Sequence, residues 1–186
     1  MRTLVVTQNM TLDGSIEMLG QWFDPQGRGD MSDLQAELHR QDEHSDALLL
    51  GRQTFTDFRG YWRDLPDDTT GISDSLNAQQ KFVVSRTLTD PDWTNTTVLS
   101  GDPLAEVRTL KEQDGRDIVV TGSITLTQAV VEAGLVDEYR LFVYPVVQGR
   151  GRRLTAEGVE LPDLQLLDTK AFKSGVVLLR YAKAQP

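Results

Sequence analysis

The chain has 186 residues, of which 39% are apolar and 25% charged, the make-up of one ordinary globular domain with a real core. Lysine and arginine number 19 against 28 aspartates and glutamates, a formal charge of −9 that speaks against a general nucleic-acid or acidic-membrane binder, because phosphate affinity comes from clustered basic residues. Cysteine is absent, which excludes disulfides, iron–sulfur clusters, thiolate zinc sites and cysteine nucleophiles.

In chain order, residues 4–6 form a first short apolar run, too short for a signal h-region and soon followed by Asp13. No window approaches the ~18 apolar residues of a membrane span. A cytoplasmic protein with no membrane or nucleic-acid partner is therefore expected. Thr11-Leu12-Asp13-Gly14 reads as an Asp-Gly turn, and residues 20–30 as a surface loop carrying Trp22 and Phe23. Residues 31–45 are predicted helical, with Leu34, Leu38 and Gln41 on one face and Ser32 or Asp33 as the cap. Asp33 and Glu37 lie one turn apart on it, facing either solvent or the ring of a ligand. A strand follows at 47–50, a surface loop at 61–77, and further strands at 81–85 and 96–99. Residues 102–113 begin Asp-Pro and place Leu104, Val107 and Leu110 on one helical face. A strand at 117–121 leads into a helix over 123–133 that stops at Gly134. After a run at 139–147, residues 164–172 and 175–181 read as two strands joined near Lys173-Ser174-Gly175.

The Val- and Leu-rich runs mostly do not alternate with polar residues, which suits strands covered on both faces. Strands alternating with helices imply a three-layer α/β/α sandwich around a mixed, mostly parallel sheet, with the C-terminal hairpin as its antiparallel edge. No linker or repeat divides the chain, so residues 1–186 are read as one domain.

Three strand ends carry the chemistry. Leu50-Gly51-Arg52-Gln53-Thr54 joins a buried strand to a polar turn or helix. The glycine lets an anion approach the backbone, helix N–H groups point at it, and Arg52 adds a planar fork of donors. A plain strand–turn–helix with a solvated arginine is the alternative. Val84-Ser85-Arg86 ends another strand in a hydroxyl and an arginine. In an open parallel sheet such carboxyl ends share one crevice. Thr121-Gly122-Ser123-Ile124-Thr125-Leu126 is a third strand-to-helix turn, where Ser123 is either an N-cap or one wall of a phosphate site with Thr125. Other motifs lead nowhere. Gly149-Arg150-Gly151 lacks the third glycine of a dinucleotide fingerprint, because Leu154 stands there. His39 and His44 diverge by ~140° on a helix, so no metal site is expected. No Gly-x-Ser-x-Gly elbow exists for a serine hydrolase.

Taken in order, Thr11-Leu12-Asp13-Gly14, Gly51-Arg52-Gln53-Thr54-Phe55 with Tyr61-Trp62, Val84-Ser85-Arg86, Thr121-Gly122-Ser123, Gly134-Leu135-Val136-Asp137-Glu138 and the segment from Pro145 to Gly151 resemble the dihydrofolate reductase-like superfamily. The nearest branch is the reductase domain of the bifunctional bacterial riboflavin-biosynthesis deaminase-reductase and its stand-alone relatives. The resemblance implies a dihydrofolate reductase-like fold, a homodimer, and hydride transfer from NADPH to a pyrimidine- or pterin-related small molecule. The alternatives are a dihydrofolate or pteridine reductase, and an NADPH-binding module without catalysis. By resemblance, Gly51, Arg52, Gln53 and Thr54 hold cofactor phosphates, and Ser85 and Arg86 meet the adenosine 2′-phosphate. Gly122, Ser123, Thr125 and Leu126 line the diphosphate turn, and Asn9, Gly14 and Ile16 lie near the nicotinamide. Asp13 or a bound water is the candidate proton donor. Two departures stand out: Thr121-Gly122 replaces the superfamily's Gly-Gly, and Gln35 stands where dihydrofolate reductases carry their acid.

Overall fold

A computed structural model describes residues 1–24 and 30–184, so the expected loop at 20–30 lies partly outside the described residues. The strands are β1 (Leu4–Thr11), β2 (Ser45–Gly51), β3 (Gln80–Val84), β4 (Thr96–Leu99), β5 (Asp117–Thr121), β6 (Glu138–Tyr144), β7 (Leu164–Ala171) and β8 (Val177–Lys183). The helices are α1 (Ser32–Asp42), α2 (Arg52–Trp62), α3 (Ile72–Ala78), α4 (Pro103–Glu112) and α5 (Ile124–Glu132). One sheet takes all eight strands in the order β4-β3-β2-β5-β1-β6-β8-β7. β1 to β6 are mutually parallel, whereas β8 runs antiparallel to β6 and β7 antiparallel to β8. The mixed three-layer sandwich with an antiparallel C-terminal edge is thus present.

Strand β2 shows why the runs do not alternate. Ala47 and Leu49 pack toward Val107 and Leu110 of α4 and Leu126 and Val130 of α5. Leu48 and Leu50 pack toward Phe55 and Trp62 of α2 and Leu76 of α3. Both faces of the strand are covered, so both sets are apolar. On the second face, α1 takes a separate position: Leu34 packs with Phe142 of β6, Leu178 of β8, and Phe172 and Val176 of the hairpin turn. Among the described residues, no helix is long and apolar enough to cross a membrane.

Local chemistry moves several boundaries. Strand β6 stops at Tyr144 rather than reaching residue 147, because Pro145 has no N–H for the ladder and Val146 turns back onto the Tyr144 carbonyl at 2.8 Å. Helix α1 ends at Asp42, and Ser45 already belongs to β2. Its N-cap is Met31, without a side-chain cap. Ser32 donates instead to Asp30, and the Asp33 carboxylate accepts from the Lys173 N–H. Helix α4 begins with Pro103 in its first turn, and Asp102 caps it, accepting from the Ala105 N–H at 2.8 Å. Of residues 61–77, expected as a surface loop, 63–71 are irregular, whereas Tyr61 and Trp62 complete α2 and residues 72–77 begin α3. The Asp68 carboxylate gathers the N–H groups of Thr70 and Ser73 and the Thr70 hydroxyl, and Trp62 and Leu76 become buried.

Lys81 on β3 is fully buried. Its ammonium donates to the carbonyls of Leu76 (2.6 Å) and Gln79 (2.8 Å), closing the C-terminal end of α3, and lies 4.7 Å from the Trp93 ring centroid. Burial pushes its pKa from 10.5 down to about 8. Between those values the unfolded chain holds a proton that the folded chain has released, so stability rises with pH across that window. The urea midpoint of the wild-type chain is expected to climb relative to Lys81→Met between pH 8 and 10.5 and to run parallel to it below pH 8. Parallel profiles throughout would show that the lysine is not desolvated.

Candidate active site

On the α1 face the helices leave the centre of the sheet bare. Helix α1 covers β6 and β8, and α2 with α3 covers β2 and β3. Between them runs a cleft of about 740 Å³ whose floor includes Thr7 and Asn9 of β1 and Val119 and Thr121 of β5. Ligands of open α/β sheets bind in such a crevice, at the carboxyl ends of the strands.

At that edge two turns are tied together. The Gly51 N–H donates to Ser123 Oγ at 2.8 Å, and the Ser123 N–H donates to Thr54 Oγ1 at 2.8 Å. From β1, Gln8 donates to the Gly122 carbonyl (2.7 Å) and Thr127 Oγ1 (3.0 Å). Gly122 and Ser123 both take left-handed conformations, with φ of 56° and 45°. A Cβ on Gly122 would stand 2.9 Å from Thr54 Cγ2, so only glycine fits without displacement. Ser123 does not cap α5; its hydroxyl reaches across to the other turn. The N-termini of α2 and α5 therefore meet at one place, neither with a side-chain cap and neither with a carboxylate in its first turn. The first turns of α1, α3 and α4 each carry one. Uncapped helix N-termini of this kind favour an anion, even in an acidic chain, although Asp57, one turn further along α2, lines the same cleft and accepts from Gln53 Nε2 at 2.9 Å.

The named residues sort by position. Asn9, Ile16, Gly51, Arg52, Gln53, Thr54, Gly122, Ser123, Thr125 and Leu126 all line the cleft. Ser85 and Arg86 do not; they follow Val84, the β3 partner of Gly51, and so sit at the same edge beside that turn. The Ser85 hydroxyl accepts from the N–H groups of Thr87 and Leu88, while Arg86 is exposed. Every peptide bond described, Thr121–Gly122 included, is trans.

The segment after β1 roofs the cleft through Ile16, Met18 and Phe23. Asp13 and Gly14 stand outside it. The Asp13 carboxyl is held down at about 2 by the Thr11 hydroxyl and by the N–H groups of Gln148 (3.1 Å) and Gly149 (2.7 Å), so it pins the roof to the loop after β6 as an anion. A group so acidic is a poor proton donor at neutral pH. Gln148, not foreseen from sequence, completes the clasp. Its Oε1 accepts from the Leu19 N–H (3.1 Å) and Trp22 Nε1 (2.9 Å), and its Nε2 donates to Ser15 Oγ and the Glu17 and Arg150 carbonyls. Trp22 and Phe23 then pack edge-on against Tyr144, with ring centroids 5.3 and 5.9 Å away.

The far end of the cleft is framed by Gln41 and Asp42 of α1, Ser75 of α3, Gln79 and Arg140. Asp33 and Glu37 are absent from it: Glu37 is buried against Arg40, Gln41 and Lys170. The carboxylate of α1 that reaches the cleft is Asp42, which accepts from Ser75 Oγ at 2.8 Å. Surrounding protein raises its pKa above the ordinary carboxylate value by desolvation. Gln35 also lines the cleft.

Comparison with known proteins agrees with this geometry. The profile of the RibD C-terminal domain family matches residues 2–178. The uncharacterized protein YyaP of Bacillus subtilis (strain 168) is 31% identical over 97% of this chain and 94% of its own length. A pyrimidine reductase-like protein from Corynebacterium diphtheriae superposes with a TM-score of 0.69 at 15% identity, covering 99% of this chain and 92% of that one. A diaminohydroxyphosphoribosylaminopyrimidine deaminase/5-amino-6-(5-phosphoribosylamino)uracil reductase from Thermotoga maritima gives 0.66 at 16% identity, over 98% of this chain and 56% of that larger one.

Gln148→Leu keeps the size of the clasp and removes its hydrogen bonds. Amide exchange at Leu19 and through residues 15–17 is expected to speed up by roughly tenfold, the equivalent of one or two lost hydrogen bonds. Exchange in β1 should stay unchanged. Unaltered exchange in the roof would show that the packing of Trp22 and Phe23 holds it without Gln148.

Proposed function

The chain belongs to the RibD C-terminal domain family, and from that premise we propose that it is an NADPH-dependent reductase of the riboflavin-biosynthesis type, transferring hydride to a pyrimidine- or pterin-related small molecule. The observation that carries this reading is the meeting of two uncapped, acid-free helix N-termini at one end of a long cleft. Two adjoining amide clusters suit a diphosphate, which one cluster alone would only half satisfy. The residues fit the dinucleotide: the starts of α2 and α5 both border the cleft, and Arg52 supplies a fork matched to phosphate oxygens.

When bound, the reduced nicotinamide supplies the hydride. In this reading Gly51, Arg52, Gln53 and Thr54 hold the diphosphate from the α2 side, and Gly122, Ser123, Thr125 and Leu126 from the α5 side. Ser85 and Arg86, one strand further out, meet the 2′-phosphate. Asn9 and Ile16 border the ring, whereas Gly14, expected beside it, stands outside the cleft. The roof and the walls of α1 and α2 exclude bulk water and fix the approach of the two molecules, which turns an encounter into an intramolecular step. With the Asp13 carboxyl near 2 and outside the cleft, a cleft water is the proton donor of this reading. The reading includes a homodimer: edge strand β7 is exposed along most of its length and carries Leu166 and Leu167, which pairing with a second copy would cover.

Calorimetric titration tests the cofactor reading. NADPH is expected to bind ~10–100-fold more tightly than NADH, the worth of a charge-assisted contact to the extra phosphate. Replacing Arg52 and Arg86 with alanine should cost NADPH about tenfold more than NADH. Equal losses would remove the 2′-phosphate role, and no dinucleotide binding would remove the reductase reading.

A further inference from the structure

Tyr144 offers a place for the molecule that a dinucleotide would reduce, on the footing of the reductase reading above. Strand β6 turns Arg140, Phe142 and Tyr144 onto the cleft, beside Thr7, Asn9 and Thr11, their register partners on β1. Tyr144 is the last residue of the strand, so it stands at the carboxyl edge, two residues, or about 7 Å, beyond the Asn9–Phe142 pair. The roof lies against it, with Trp22 and Phe23 edge-on to its ring at 5.3 and 5.9 Å. Leu34 of α1 and Phe172 pack in the same cluster.

The packing uses the ring of Tyr144 and not its hydroxyl. The residue is 9% exposed, and a tyrosine that deep ordinarily sets its hydroxyl on a protein partner. Among the described residues none hydrogen-bonds to it, nor is it sealed in, as the unpartnered Ser73 Oγ, Gln79 Oε1 and Ser174 Oγ are. The oxygen therefore opens onto the cleft that the residue lines. The polar groups of the roof are already engaged, Trp22 Nε1 with Gln148 and Arg152 with Glu17. Phenylalanine would make the same ring contacts, so packing does not account for the hydroxyl. Burial pushes its pKa up to about 12, which keeps it a neutral donor through the physiological range.

We propose that Tyr144 fixes the molecule to be reduced: its hydroxyl donates a hydrogen bond to a ring acceptor of that molecule, a carbonyl oxygen or an imine nitrogen. The proposal rests on the reductase reading and gives its pyrimidine- or pterin-related ring a defined orientation. Such a ring has flat faces suited to aromatic and aliphatic walls and acceptors along its edge for a donor of this kind. With one edge held by Tyr144 and the nicotinamide over Asn9, the ring atom that faces the hydride is set by geometry. Tyr144 keeps its proton throughout. It orients the ring, and the proton of the reduction still comes from the cleft water.

Tyr144→Phe keeps the ring and its contacts and removes the hydroxyl. Lumazine, a pteridinedione with acceptors on both rings, is the probe, titrated with the full chain by the quenching of its own fluorescence. The substitution is expected to weaken lumazine about five- to tenfold, the worth of one neutral hydrogen bond, and to leave NADPH affinity and amide exchange at Leu19 in the roof unchanged. Carbon-13 NMR of the chain labelled at tyrosine Cζ adds a readout of the hydroxyl itself. Of the 4 tyrosine signals, the one missing from Tyr144→Phe should move downfield when lumazine binds. Equal lumazine affinities of the two chains, a Tyr144 signal that stays in place, or no lumazine binding at all would each overturn the proposal. Failure of the wild-type chain to bind NADPH would instead strike the reductase reading, so the two failures are told apart.

Discussion

Two reciprocal hydrogen bonds, from Gly51 N–H to Ser123 Oγ and from Ser123 N–H to Thr54 Oγ1, hold together the parts of the molecule that could act on a ligand. Each contributes about 1 kcal/mol net, yet neither can be dropped singly without stranding a polar group at the bottom of a turn. They join α2, which packs on one face of the sheet, to α5, which packs on the other. The left-handed backbone at Gly122 and Ser123 is what brings the Ser123 hydroxyl across, and for serine that conformation carries a strain of order 1 kcal/mol that the crossing bonds offset. Gln8, in the middle of β1, extends the tie to a third neighbouring strand.

The cleft follows from a second constraint, the placement of apolar faces. Helix α1 is drawn to the aromatic surface of β6 and the hairpin, where Phe142 and Phe172 stack at 6.2 Å between centroids. Helices α2 and α3 are drawn to the Leu48, Leu50 and Val83 side, and Trp93 packs there against Phe55 at 5.6 Å. Neither group can reach the middle strands without giving up its own contacts, so β1 and β5 stay uncovered on that face. The roof over the opening is held by polar fasteners, Asp13 and Gln148, rather than by a deep core.

Much of this was legible in the residues, and the exceptions share a cause. Strands with two covered faces announce themselves as apolar runs, which is why β2, β3, β5 and the start of β6 could be read directly. Glycine followed by polar residues marked the ends of β2 and β5, because a close approach leaves few residue choices. Function-bearing polar side chains fared worse wherever their partners are distant in sequence. Ser123 reads as a cap by spacing, and only the fold shows its hydroxyl meeting a turn 72 residues away. Asp13 reads as a turn residue or a proton donor, but two N–H groups more than 130 residues downstream fix it as an anion. Asp33 and Glu37 were the visible carboxylates of α1, whereas the one that reaches the cleft, Asp42, sits at the helix end where periodicity carries no signal. Residues 61–77 look like a loop by composition because their polar atoms are used internally, around Asp68 and Asn77.

The proposed function rests on the tied N-termini of α2 and α5 acting as one anion site. A crystal structure of the full chain grown with NADPH tests it most directly. Diphosphate oxygens are expected within hydrogen-bonding distance of backbone N–H groups in the first turns of both helices, with the adenosine running toward Arg86 and the nicotinamide over Asn9. A dinucleotide touching only one of the two helices, or lying on another face of the sheet, would contradict it.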